Sequence, residues 1–156
     1  AVQIAKHFGA SVTGVSSAAN ADLVRSLGAD KTIDYAREDF TKGAETYDII
    51  MDAVGTTSFG RAKRALKDGG RLALVLANVR QLLFLPAWTK LTGTKRVVAG
   101  VAISTPEKIR RLAQLLAEGK FKPTIDQRFP IAQIAAAHAR VDTGRKKGNV
   151  VVTLAG

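Results

Sequence analysis

Cysteine is absent from the sequence, which excludes disulfides, cysteine-ligated zinc and a thiol nucleophile. Such a chain suits a reducing compartment, and the cytoplasm is the expected location. Histidine is scarce: His7 and His138 are the only two, on separate segments, without a spacing that would assemble a metal site. Long apolar runs are missing as well. The longest, 72–77 and 82–87, fall far below the roughly 20 residues a membrane-spanning helix needs, so no membrane segment is expected. No basic n-region, apolar h-region or cleavage site marks a secretory signal, and the first residue is not Met, so a piece of a longer chain is expected.

Acidic residues are few, 13 against 24 Lys and Arg, and the net charge of +11 raises the question of an anionic partner. A nucleic-acid surface would gather its cations on one face and interleave them with stacking aromatics. Here Arg61, Lys63, Arg64 and Lys67 sit on one segment, Lys108, Arg110 and Arg111 on another, and Arg145, Lys146 and Lys147 on a third. With aromatics at only 6%, this pattern reads as solvated faces and turns, and no nucleic-acid partner is expected.

What is present is aliphatic. Val, Leu, Ile and Ala dominate the 46% hydrophobic content, enough to fill the core of a single folded unit. Val2, Ile4, Ala5 and Phe8 repeat at helical spacing and stop at Gly9. A β-rich run at 11–16 follows, then a helix over 20–27 ending at Gly28. Strands are expected at 31–34, 47–54, 71–76 and 95–102, with a helix at 57–66 and another at 106–118, where Thr105 is the N-cap and Gly119 the stop. A last unit reads as strand 123–129, helix 131–141 and strand 149–154. Apolar strands alternating with helices predict an α/β fold with a parallel sheet covered on both faces.

This order matches a doubly wound, Rossmann-type sheet without its first strand and the glycine loop after it. That strand would lie at the centre of the sheet, and such a gap is not expected to stay open: either the missing strand belongs to the same polypeptide upstream, or strands 11–16 and 47–54 take a substitute partner or pair with each other. Several runs then become specific: AVQIAKHFGASVTGV, LVRSLGADKTIDY, YDIIMDAVG, ALKDGGRLALV, LLAEGKFKPTIDQRFPI and GRKKGNVVVTL. Together they resemble, nearly end to end, the zinc-independent quinone oxidoreductase-like branch of the medium-chain dehydrogenase/reductase family. The resemblance implies a truncated dinucleotide-binding domain over 1–122 and a C-terminal β-α-β piece of the catalytic domain over 123–156. It implies an NADP(H)-dependent enzyme that passes a hydride between nicotinamide and a quinone or conjugated carbonyl, without zinc and commonly as a homodimer joined through the strand at 95–102. Without the glycine loop the chain alone is expected to bind cofactor weakly and to be inactive.

Cofactor residues follow from the same resemblance. After the second strand, enzymes using NAD(H) place an acid for the ribose hydroxyls, and those using the 2′-phosphate avoid one. Here stand Ser16 and Ser17, with no carboxylate before Asp22, which leans towards NADP(H) over NAD(H). The family usually has a Lys for that phosphate where this chain has Asn20, and Tyr35 matches a Tyr that approaches it. A plain turn with helix-capping side chains is the alternative for Ser16, Ser17 and Asn20. Val54 and Gly55 end the strand at the edge where open α/β sheets bind ligands, with Gly55 beside the ribose or serving only the turn. Leu76, Ala77 and Asn78 match the segment beside the nicotinamide, and Val101 and Ala102 lie near its carboxamide. For Arg145 to Lys147 the family suggests occasional phosphate contacts, and a solvated turn is the alternative. No catalytic acid or base is nominated, because the cofactor carries the chemistry.

Two other functions fit parts of the sequence. The runs YDIIMDAVG and ALKDGGRLALV also resemble S-adenosylmethionine-dependent methyltransferases, although Ser16 and Ser17 do not supply the acid those enzymes place after strand two. A non-catalytic folding or association module is the third reading.

Overall fold

The computed structural model describes residues 1–77, 84–99 and 104–154. The chain divides into two compact units, Ile33–Thr105 and Ala1–Thr32 with Pro106–Gly156.

In the first of these, β3 (Tyr47–Asp52), β4 (Leu66–Leu74) and β5 (Arg96–Ala99) form a parallel sheet in the order β3-β4-β5. Ile50 pairs with Leu72 and Leu72 with Val97, so one face presents a continuous aliphatic row. Helix α3 (Phe59–Ala65) closes that face through Ala62 and Ala65, whose small side chains let the helix lie close to the strands. Ser58 starts α3 by accepting a hydrogen bond from the Arg61 N–H. Burying Leu66, Leu72 and Leu74 contributes about 1.5–3 kcal/mol each. The opposite face is open: Ile49 is 64% exposed, Met51 53% and Val98 51%. The expected covering therefore holds on one face only among the described residues.

Strand β4 departs from the sequence reading at both ends. It starts at Leu66, directly after α3, and it stops at Leu74 rather than Leu76. A bulge makes the early start possible: Tyr47 faces Leu66, yet Ile49 already faces Arg71, and the intervening residues arch out. Gly69 takes φ +78° there, and a Cβ on Gly70 would stand 2.8 Å from the Lys67 carbonyl oxygen. The Lys-Asp-Gly-Gly stretch reads as a turn because its composition is that of one.

In the second unit, α1 (Val2–His7) opens the chain. Gln3 exchanges two hydrogen bonds with the backbone of Lys122, donating at 2.8 Å and accepting at 2.7 Å, and so ties the start of the chain to the approach to β6. Strand β1 (Thr13–Ser16) pairs with β2 (Lys31–Asp34) around α2 (Ala21–Ser26). Helix α5 (Pro106–Ala117) follows the expected limits within one residue. Strands β6 (Ile125–Pro130) and β7 (Asn149–Thr153) are parallel and joined through α6 (Ile134–Asp142), the β-α-β piece the sequence announced. Among the described residues β1 pairs only with β2 and β3 only with β4, in separate sheets. The two strands do not pair with each other and neither takes a substitute strand, contrary to the expectation that the gap would be filled; lying in separate sheets, each keeps one open edge among the described residues. Helix α4 (Leu85–Thr92) lies between β4 and β5. No helix among the described residues is long and apolar enough to cross a membrane.

Candidate functional site

At the carboxyl edge of the three-stranded sheet, Asp52 ends β3 and is buried. Its carboxylate accepts the N–H groups of Val54 at 2.9 Å, Gly55 at 2.8 Å and Thr57 at 2.7 Å. Its own carbonyl accepts Val75 N–H at 2.9 Å, joining the ends of β3 and β4. Burial pushes this carboxyl up, but the backbone N–H groups of Thr57, Val54, Gly55 and Thr56 outweigh it and hold the pKa below the ordinary value. Gly55 adopts φ +81°, and a Cβ there would touch Leu76 at 3.5 Å. Val54, Gly55, Leu76 and Ala77 are thereby brought to one edge, with Val54 71% and Leu76 59% exposed while Ala77 packs on the core. The result is an apolar shelf with a glycine backbone in its floor, at the end of a parallel sheet where α/β folds bind ligands. Tyr35 stands in the same unit, one residue beyond β2, and is exposed. Asn78, Val101 and Ala102 lie outside the described residues.

In the other unit, Ser16 ends β1 and its hydroxyl donates to the Ser17 carbonyl at 3.1 Å. Ser17 opens a short 3-10 turn, Ala18–Asn20, and Asn20 precedes α2, yet neither side chain makes a capping hydrogen bond. The Oδ1 atom of Asn20 is buried with no partner among the described residues. The capping alternative for these residues is therefore not what the structure builds. A contact the sequence reading missed closes over this turn: Lys147 Nζ donates to the Ala19 carbonyl at 3.1 Å, across 128 positions. The Lys147 N–H in turn donates to Asp126 at 3.1 Å. Asp126 also receives Arg140 at 2.7 and 3.0 Å, and that guanidinium, with the Lys147 N–H, holds its pKa low. Arg140 reaches the Arg145 carbonyl at 3.3 Å as well. Gly148 permits the close approach of this turn to the chain before β6, since a Cβ there would stand 2.8 Å from the Thr124 carbonyl carbon. The three consecutive cations carried no signal of this, because the partner lies at the far end of the sequence.

Neither histidine joins a ligand cluster: His7 is on α1 and His138 on α6, and among the described residues no three His, Cys, Asp or Glu side chains are grouped to hold a metal ion.

Sequence comparison places this geometry in a family. The family model described as "zinc-binding dehydrogenase" matches residues 27–152. A 2-methylene-furan-3-one reductase of Solanum lycopersicum is 34% identical over 97% of this chain, which covers 36% of that protein. An NADPH-dependent alkenal/one oxidoreductase of Arabidopsis thaliana, chloroplastic, is 32% identical over 97% of the chain and 36% of its own length. Among solved structures, the quinone oxidoreductase from Coxiella burnetii superposes with a TM-score of 0.81 at 25% identity, over 99% of this chain and 48% of that one. The chain thus spans less than half the length of these relatives, and the methyltransferase reading finds no support in them. With a family match over most of its length and relatives that agree in sequence and in fold, this chain belongs to the zinc-binding dehydrogenase family, in its quinone-oxidoreductase-like branch.

Proposed function

We propose that the protein carrying this chain is an NADP(H)-dependent oxidoreductase acting on a quinone or conjugated carbonyl, and that this chain supplies most of its dinucleotide site. The observation that carries the reading is the turn after β1, where hydroxyls and an amide stand in place of an acid. The buried, unpartnered Oδ1 of Asn20 is an acceptor that a ribose hydroxyl could satisfy, so the turn suits a nucleotide. Ser16, Ser17, Asn20 and Tyr35 serve the adenosine end, Val54 and Gly55 the ribose, and Leu76 and Ala77 the nicotinamide, together with Asn78, Val101 and Ala102.

Bound NADP(H) supplies the hydride. The chain's part is to orient and to keep water away: the Val54–Leu76 shelf offers an apolar face, and Asp52 fixes the turn that carries Gly55. No side chain here is assigned a proton. The family's name raises zinc, but a chain without cysteine and with two histidines on separate helices does not fit a zinc site, so zinc is given no role. Residues 1–122 are assigned to the dinucleotide-binding domain and 123–156 to the catalytic domain, in the cytoplasm. The open edge of β5 is assigned to a two-fold partner in a homodimer.

Steady-state kinetics of the full-length protein with a quinone or enone acceptor test the cofactor reading. A higher kcat/KM with NADPH than with NADH is expected, and a clear NADH preference would overturn it.

A further inference from the structure

Helix α4 has one side that is held and one that is bare. On the held side Leu85 packs against the core, and the buried Thr89 hydroxyl donates to the Pro86 carbonyl at 3.2 Å and accepts the Val97 N–H at 3.1 Å. The helix is thereby fixed to β5. On the bare side stand Phe84, at the N-cap, with Trp88 and Leu91, four and seven residues further on and so on one helical face. These three side chains are between 66% and 86% exposed, although the helix that carries them is anchored.

The charge around this face indicates what it meets. Lys90 lies on α4 itself and is exposed, and Lys95 and Arg96 follow at the start of β5. Across 69–106 the sequence contains no Asp or Glu. Lys95 Nζ rests on the neutral Lys63 carbonyl at 3.1 Å, so its charge is not cancelled there. Asp68 reaches this segment at Thr94, past the end of the helix, and accepts its hydroxyl at 3.4 Å. A second protein would have to bring acids to these cations as well as an apolar patch. An anionic bilayer offers an apolar layer and negative headgroups in one surface, and a short helix with Trp, Phe and Leu on one face and cations beside them suits it.

We propose that α4 is a peripheral docking surface for an anionic membrane. Phe84, Trp88 and Leu91 enter the boundary of the acyl chains, and Lys90 stays at the headgroup phosphates. With 8 residues the helix lies along the surface and does not cross the bilayer. The cytoplasmic leaflet carries the required negative charge. An apolar quinone or enone dissolved in the bilayer is brought near the protein in this way, but the docking itself does not depend on the NADP(H) reading.

The test sediments the full-length protein with vesicles of phosphatidylcholine alone and of phosphatidylcholine containing about 30% phosphatidylserine. Wild type is expected to pellet with the anionic vesicles, less so as salt is raised, and to stay in solution with the neutral ones. Phe84→Ser combined with Leu91→Ser is expected to lower the partition coefficient at least about tenfold, since two apolar side chains no longer enter the acyl region. Lys90→Gln should lower it about fivefold, and Lys90→Arg should retain it. Circular dichroism and turnover of a water-soluble enone should be unchanged in each variant. Wild type that ignores the anionic vesicles overturns the proposal, as does binding that survives the double serine variant or Lys90→Gln. A double serine variant that melts at a lower temperature, or that changes oligomeric state without lipid, shows that the face packs within the protein or between copies, and either result overturns the membrane assignment.

Discussion

Asp52 is the residue on which the turn carrying Gly55 depends. One buried carboxylate gathers three N–H groups of the turn that presents Gly55, and no other described side chain organises that turn. Asp52→Ala strands those donors, and a loss of about 2–4 kcal/mol is expected, with a smaller loss for Asp52→Asn, which keeps one acceptor oxygen. Thermal or urea unfolding of the two variants checks it, and unchanged stability in Asp52→Ala would refute the role. The pH dependence has a definite sign. Because the folded pKa lies below the ordinary 3.8, this contribution is fully present above that value and is lost as pH falls through the lower folded one. Asp39 behaves similarly, held at about 2 by the Thr41 hydroxyl and N–H and by Arg61. The Asp52 part is therefore read from the difference between wild type and Asp52→Ala, which should shrink on acidification below about pH 4. Sequence alone placed Asp52 within the strand expected at 47–54, which the structure ends at Asp52. Its turn-building role is the ordinary behaviour of Asp before a glycine turn, and was legible in principle.

Among the elements, those with strong periodicity were readable. Helix α5 carries Pro at its start and Gly after its end, and α2 stops short of Gly28, so local chemistry and tertiary structure agree there. Strand β4 was not readable in full, because pairing with Tyr47 draws Leu66 into the sheet despite the turn-like residues after it. The same limit applies to the Lys147 contact and to the Gln3–Lys122 exchange, which bring together residues more than 100 positions apart and leave no local pattern. Strand β5 is the element with the clearest outward consequence. It pairs only with β4 among the described residues, and Val98 on it is half-exposed, so its outer edge can take a second copy in register. Val98→Pro, which removes a backbone donor, is expected to shift sedimentation of the full-length protein towards monomer while circular dichroism stays unchanged. A dimer that survives the substitution would exclude edge pairing through β5.

For the molecule as a whole, each compact unit carries residues proposed to bind cofactor. The unit Ile33–Thr105 offers the Asp52-built turn and its apolar shelf; the other offers the Ser17–Asn20 turn with Lys147 upon it. The α/β class and the parallel strands were legible from alternating aliphatic runs, because burial demands them. The place of a missing first strand was legible from the doubly wound order, but the expected substitute pairing of β1 and β3 was not borne out, since neither has a second strand partner among the described residues. What the sequence could not convey was one uncovered face of the three-stranded sheet, since an apolar strand looks the same whether its second face is covered or open. Hydride transfer from a nicotinamide is measured most directly by isotope transfer. The full-length protein is supplied with NADPH deuterated at nicotinamide C4, one face at a time, together with a conjugated enone, whose reduced carbon retains the label. A product carrying deuterium on carbon from one face only is expected. Absence of label in the product from either face, across enones and with NADH as well as NADPH, would contradict it.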